Sequence, residues 1–88
     1  MVKYKIFYSK VLQKDAKKLK NAGLDKKAIE LIEIIESNPF QNPPPYEKLV
    51  GDLKGAYSRR INIQHRLIYQ INEETMVVRI LRMWTHYK

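Results

Sequence analysis

The chain has 88 residues, a length that suits one domain, residues 1–88, with a small core. Its residues are 44% hydrophobic and 30% charged, the balance of an ordinary globular chain, and there is no cysteine, which excludes disulfides and thiolate chemistry. Seventeen Lys and Arg against nine Asp and Glu leave a net charge of +8, which points to a polyanionic partner such as nucleic acid, a membrane surface or an acidic protein.

In chain order, Lys3 to Tyr8 alternates as a short strand and ends at Ser9, a residue suited to capping a helix. From Lys10 to Asn21, Leu12, Ala16 and Leu19 share one helical face, and Gly23 is placed to close that helix. Asp25 is a candidate cap for a second helix over about Lys26 to Ser37, in which Ala28, Leu31, Ile32 and Ile35 follow helical spacing and Pro39 stops the run. Pro43-Pro44-Pro45 predicts a stiff, extended connector that delivers the loop Tyr46-Glu47-Lys48-Leu49 near the sheet. Three strands follow: Tyr57 to Ile63, Arg66 to Ile71 and, after an Asn72-Glu73-Glu74 turn, Thr75 to Trp84. Short connections make these an antiparallel meander. The order β-α-α-β-β-β is an α+β architecture, with two helices packed on one face of a mostly antiparallel sheet.

No apolar run approaches the roughly 18 residues of a membrane span, and Met1-Val2-Lys3 opens no signal-peptide pattern, so a cytoplasmic protein is expected. All five arginines lie between positions 59 and 82, whereas the earlier part of the chain uses lysine. Lysine on a helix solvates a surface, while arginine offers a planar fork of donors suited to phosphate. The helices cover one sheet face and leave the other open to carry a site. Alternation sends Leu67, Tyr69 and Ile71 to the core and Arg66 to the open face; in the preceding strand Tyr57, Ile61 and Ile63 read as core, and Ser58, Arg60 and Asn62 as outward. Arg59 falls on the apolar parity, at the strand's edge or at a bulge that changes its face. His65 reads as structural or exposed.

The last strand would also hold a terminal His86-Tyr87 pair in place, although chain ends fray unless tied down. Glu47, Arg60, Arg66 and His86 around a basic open face suit phosphodiester cleavage of RNA. The 2′-hydroxyl is the nucleophile, so the site needs a base, an acid for the 5′-oxygen and cations for the phosphorane, and no metal or cofactor. Taken alone, Glu47 reads more readily as a solvated loop residue, the Arg59-Arg60 pair as surface salt-bridge partners and His86-Tyr87 as an accident of sequence.

The ordered motifs add to this. Glu47-Lys48-Leu49, the run Gly51 to Ile61 with its Ser58-Arg59-Arg60-Ile61, then His65-Arg66-Leu67-Ile68-Tyr69 and the terminal His86-Tyr87 resemble the YoeB (Txe/YoeB) branch of the RelE-like toxin superfamily. The resemblance covers nearly the whole chain. It implies a ribosome-dependent mRNA endoribonuclease, the toxin of a bacterial toxin–antitoxin module. It implies Glu47 as general base, His86 as general acid, Arg66 on the phosphorane and Tyr87 in orienting the site. Arg59 and Arg60, with Lys48 and Lys54, would hold RNA phosphate. The family's frequent lysine three residues after the glutamate is replaced by Val50, and Met83-Trp84-Thr85 stands where Cys-Arg/Lys-Tyr is usual. The implied partners are mRNA in the ribosomal A site, ribosomal RNA, an acidic antitoxin and a second copy of the chain. The competing reading is a non-catalytic basic RNA- or ribosome-binding module, or a degenerate toxin that serves as an interaction partner. A pure binder has no need of the glutamate or the terminal histidine.

Overall fold

The computed structural model describes residues 3–49 and 55–84. Its elements are β1 (Lys5–Tyr8), α1 (Leu12–Asn21), α2 (Asp25–Ser37), β2 (Tyr46–Lys48), β3 (Ala56–Arg60), β4 (Arg66–Asn72) and β5 (Val77–Arg82). Two helices thus pack on a five-stranded sheet of order β1-β5-β4-β3-β2, antiparallel except where β1 runs parallel to β5. Because β1 inserts beside β5, the last strand is hydrogen-bonded on both sides. Among the described residues no helix is long and apolar enough to cross a membrane.

Both helices form where the apolar periodicity places them. Leu12 and Leu19 of α1 and Ala28, Leu31 and Ile35 of α2 bury against Leu67 and Tyr69 of β4 and Val78 and Ile80 of β5. Burying one such aliphatic side chain is worth about 1.5–3 kcal/mol relative to leaving it in water. The face of α1 differs in one position from the expectation: Ala16 is exposed and Asp15 is buried. Gly23, at φ +74°, closes α1. The N–H of Leu24 donates to the Leu19 carbonyl and that of Gly23 to Lys20, a paired closure that requires a left-handed residue.

The expected side-chain caps do not form. Ser9 instead donates its hydroxyl to the Leu81 carbonyl at 3.1 Å, tying the start of α1 to β5. Asp25 is the first residue of α2 and makes no side-chain cap; its charge sits favourably in the first turn.

Four further departures lie in the second half. The proline segment is not extended: the chain bends at Pro43 and Pro44, where the Asn42–Pro43 and Pro43–Pro44 peptide bonds are cis. Tyr46–Lys48, expected as part of a loop, is a short edge strand paired with β3. Strand β3 stops at Arg60 instead of Ile63 because the Asn62 side chain accepts the N–H groups of Gln64 and His65 at 2.9 and 2.7 Å and builds the hairpin turn. Ile63, expected in the core, is therefore 90% exposed. Strand β5 begins at Val77, after a turn in which Met76 takes a positive φ of 57°.

Candidate active site

Alternation along three neighbouring strands brings the site together. Glu47 pairs with Ser58 across β2–β3, and Arg60 pairs with Arg66 across β3–β4, all on the sheet face away from the core. Arg66 is nearly buried; its Nη1 donates to Ser58 Oγ and approaches Glu47 Oε2, both at 3.2 Å. Glu47 is more than half exposed, so the pair joins a fixed guanidinium to an accessible carboxylate. Pro45, Tyr46, Glu47, Ser58, Arg60 and Arg66 line a cleft of about 240 Å³. A larger depression of about 610 Å³ lies elsewhere on the molecule, between Phe7, Asn72 and Arg79, but no acid–base side chain lines it. The smaller cleft brings a carboxylate and two guanidiniums together.

Two arginines directly opposed across an antiparallel pair repel each other. That arrangement is favourable when an anion lies between them, and guanidinium forks fit carboxylate and phosphate alike.

Arg59 corrects the sequence expectation. It sits on the opposite face from Arg60, is 1% exposed, and meets no bulge in β3. Its Nε donates to Tyr69 Oη at 2.9 Å, and its other nitrogens donate to the carbonyls of Pro44, Pro39 and Gln41 at 2.6, 3.0 and 2.9 Å. The guanidinium also lies 5.0 Å from the Tyr46 ring centroid. Burial raises the pKa of the Tyr69 phenol, outweighing the opposing pull of Arg59, so the hydroxyl stays neutral. Arg59 is thus no phosphate contact. It ties the Pro39–Pro44 connector to the sheet and thereby places β2 and its Glu47.

Lys48 is exposed and is not among the residues that line the cleft. Lys54, His86 and Tyr87 lie outside the described residues. His65 is buried, with its ring stacked on Trp84 at 3.7 Å between centroids and 22° between planes.

The residue that sequence reasoning passed over is Asp15. Its Oδ2 accepts Arg82 Nε at 2.9 Å and the backbone N–H groups of Met83 and Trp84 at 3.0 and 3.3 Å, while Oδ1 accepts Arg82 Nη2 at 3.3 Å. Its position among the apolar residues of α1, three after Leu12 and four before Leu19, was the available signal. Burial pushes this carboxyl up. The hydrogen bond from Arg82 and the two backbone donors outweigh burial and hold it below the usual 3.8. A lowered folded-state pKa stabilises the fold above the unfolded value, and this contribution is lost as pH falls through the folded one. Urea midpoints measured from pH 7 downward should therefore drop below about pH 3.8 more steeply for the native chain than for Asp15→Asn. Parallel curves would deny Asp15 this role.

Comparison with known proteins agrees with the fold. Residues 8–87 match the model of the YoeB-like toxins of bacterial type II toxin–antitoxin systems. The toxin YoeB of Synechocystis is 37% identical over 76 residues, covering 86% of this chain and 79% of the relative. The toxin YoeB of Escherichia coli K12 is 36% identical over 62 residues, covering 70% and 71%. Among solved structures, a YoeB/ParE toxin from Agrobacterium tumefaciens superposes with a TM-score of 0.82 at 26% identity, over 94% of this chain and 99% of that one. YoeB in the YoeB–YefM complex of Staphylococcus aureus gives 0.77 at 33% identity, over 96% and 98%. The chain therefore belongs to the YoeB-like toxins of bacterial type II toxin–antitoxin systems.

Proposed function

We propose that the chain is a single-domain, ribosome-dependent mRNA endoribonuclease that cleaves by attack of the 2′-hydroxyl on the adjacent phosphodiester. The observation that carries this reading is the cleft in which Glu47 meets the fixed fork of Arg66, with Arg60 directly opposed. Glu47 takes the 2′-hydroxyl proton as the oxygen attacks phosphorus. Arg66 and Arg60 balance the charge that gathers on the phosphorane oxygens. His86 donates a proton to the leaving 5′-oxygen, and Tyr87 orients the site. The P–O5′ bond breaks, giving a 2′,3′-cyclic phosphate, or its hydrolysed 3′-phosphate, and a 5′-hydroxyl. Because RNA supplies its own nucleophile, the chemistry needs no metal. Lys54 adds charge along the RNA path.

The net charge of +8 suits docking on ribosomal RNA in the cytoplasm, where the mRNA substrate occupies the A site. It suits equally an acidic antitoxin that covers the site, as the S. aureus relative is paired with YefM. A second S. aureus structure is a YoeB dimer, and a homodimer is the assembly proposed for this chain.

The test is primer extension on mRNA in translating ribosomes, with ribosome-free RNA and His86→Ala alongside. A cut that appears only with the native chain and only on ribosomes supports the proposal. The histidine variant is expected to be slower by about 10²–10⁴-fold, the contribution of a positioned acid. Cleavage by His86→Ala at the native single-turnover rate would remove the acid from the mechanism. Equal cutting of free RNA would remove the ribosome dependence, and no cutting at all would leave a binding module.

A further inference from the structure

Among the described residues Asp15 is the only acidic side chain that is buried. None of its side-chain hydrogen bonds serves its own helix. All of them hold residues 82–84, the end of β5. A buried carboxylate is an expensive way to add stability, since a well-packed apolar group of similar volume is often as good. What a carboxylate can do, and an apolar group or an amide cannot, is hold two successive backbone N–H groups and the fork of Arg82 together on its two oxygens.

The other end of this segment is fixed as well. Trp84 stacks on buried His65, the chain neighbour of Arg66. Strand β5 runs antiparallel to β4 with Arg82 opposite Ile68, so the chain reaches Trp84 at the Arg66 end of β4. From Trp84, two residues of chain span at most about 7 Å. The anchor therefore limits how far from Trp84 residue 86 can lie, at the end of β4 that carries Arg66. This matters because a misplacement of about 1 Å can cost about 10²-fold in rate.

We infer that Asp15 is a positioning residue for cleavage. By holding Met83 and Trp84 against α1, it sets the point from which the tail carrying His86 departs, and so the reach of that histidine to the scissile phosphate. This rests on the assignment of His86 under the proposed function.

The test is a double-mutant cycle between Asp15→Asn and His86→Ala, read as single-turnover cleavage of ribosome-bound mRNA. Asp15→Asn is expected to slow cleavage by about 10–100-fold, with half-saturating ribosome concentration changed by less than about twofold. On the His86→Ala background the same substitution is expected to cost nothing further, because the group it positions is gone. Trp84, the sole tryptophan, reports the anchor directly: acrylamide should quench its fluorescence more readily in Asp15→Asn while the far-UV circular dichroism is unchanged. A loss as large on the His86→Ala background as on the native chain would make Asp15 merely structural and overturn the inference. So would a native rate once Trp84 is released. If His86→Ala itself cuts at the native rate, the acid assignment fails and the inference falls with it; the Trp84 quenching then still reports whether Asp15 anchors residues 82–84. Should Asp15→Asn not fold, Arg82→Gln carries the test. That side chain is about half exposed, and its loss leaves both backbone bonds to Asp15 in place. It is expected to slow cleavage by about 3–10-fold, with the same absence of effect on the His86→Ala background.

Discussion

Replacing Arg59 with methionine or lysine is expected to lower stability by about 3–5 kcal/mol, among the largest effects of any single substitution in the chain. The guanidinium is 1% exposed, and four oxygen acceptors converge on it from Tyr69, Pro44, Pro39 and Gln41. Methionine fills part of the volume but leaves three backbone carbonyls of the connector without their donor. Each such orphaned group costs about 1–3 kcal/mol when it stays buried. Lysine keeps the charge, yet a point charge with three donors cannot span acceptors arranged around a planar fork. For a domain of this size the loss corresponds to a fall in Tm of roughly 15 °C or more. The check is thermal unfolding followed by circular dichroism, with Arg60→Met as the control. Arg60 is exposed and faces Arg66, so its removal relieves a repulsion and should leave Tm unchanged or slightly raised. A Tm for Arg59→Lys within about 3 °C of the native value would mean that the connector does not depend on the fork.

Arg59 also shows where sequence reasoning stops. Its parity placed it with Tyr57 and Ile61 on the apolar side, correctly. Its charge argued for the surface, and the charge misled, because the acceptors that satisfy it are loop carbonyls with no sequence signature. Asp15 was missed for the same reason: its partners are 67 to 69 positions away, and the apolar periodicity favoured Ala16. Strand β2 was read as loop because three residues after a proline run carry too little alternation; its strand character comes from pairing with β3. Ile63 looked like core on hydropathy alone, but the Asn62 side chain turns the chain there. By contrast, the helices, the outward faces of Arg60 and Arg66 and the inward faces of Leu67 and Tyr69 were legible, since each follows from a period of 3.6 or 2. The site was legible to the extent that strand alternation builds it, and Glu47 joined it through a connector whose path only the folded chain defines.

The second large effect concerns rate. Glu47→Gln is expected to leave Tm nearly unchanged, because Glu47 is more than half exposed and exposed ion pairs contribute little, whereas Arg66→Lys gives up a buried hydrogen bond to Ser58 and should lower Tm modestly. Cleavage is another matter. Arg66 is held at one nitrogen, Nη1, by both Ser58 and Glu47, so its guanidinium is fixed at the cleft without having to reorganise. Such fixed donors aimed at a developing oxyanion are worth about 10²–10³-fold each, and a lysine at the end of a flexible stem recovers only part of it. Glu47→Gln keeps the shape and the hydrogen-bonding reach but can no longer take a proton, a loss of about 10²–10⁴-fold. The measurement is single-turnover cleavage of ribosome-bound mRNA by both variants beside thermal unfolding. If Glu47 and Arg66 act on the same transition state, the double variant should be slower than either single one by less than the product of their separate effects, since the proton acceptor and the fork form one unit. Strict additivity would mean that they work independently. Native rates for Glu47→Gln would take the general base away from this cleft altogether, leaving its two opposed arginines as an RNA-binding feature and nothing more.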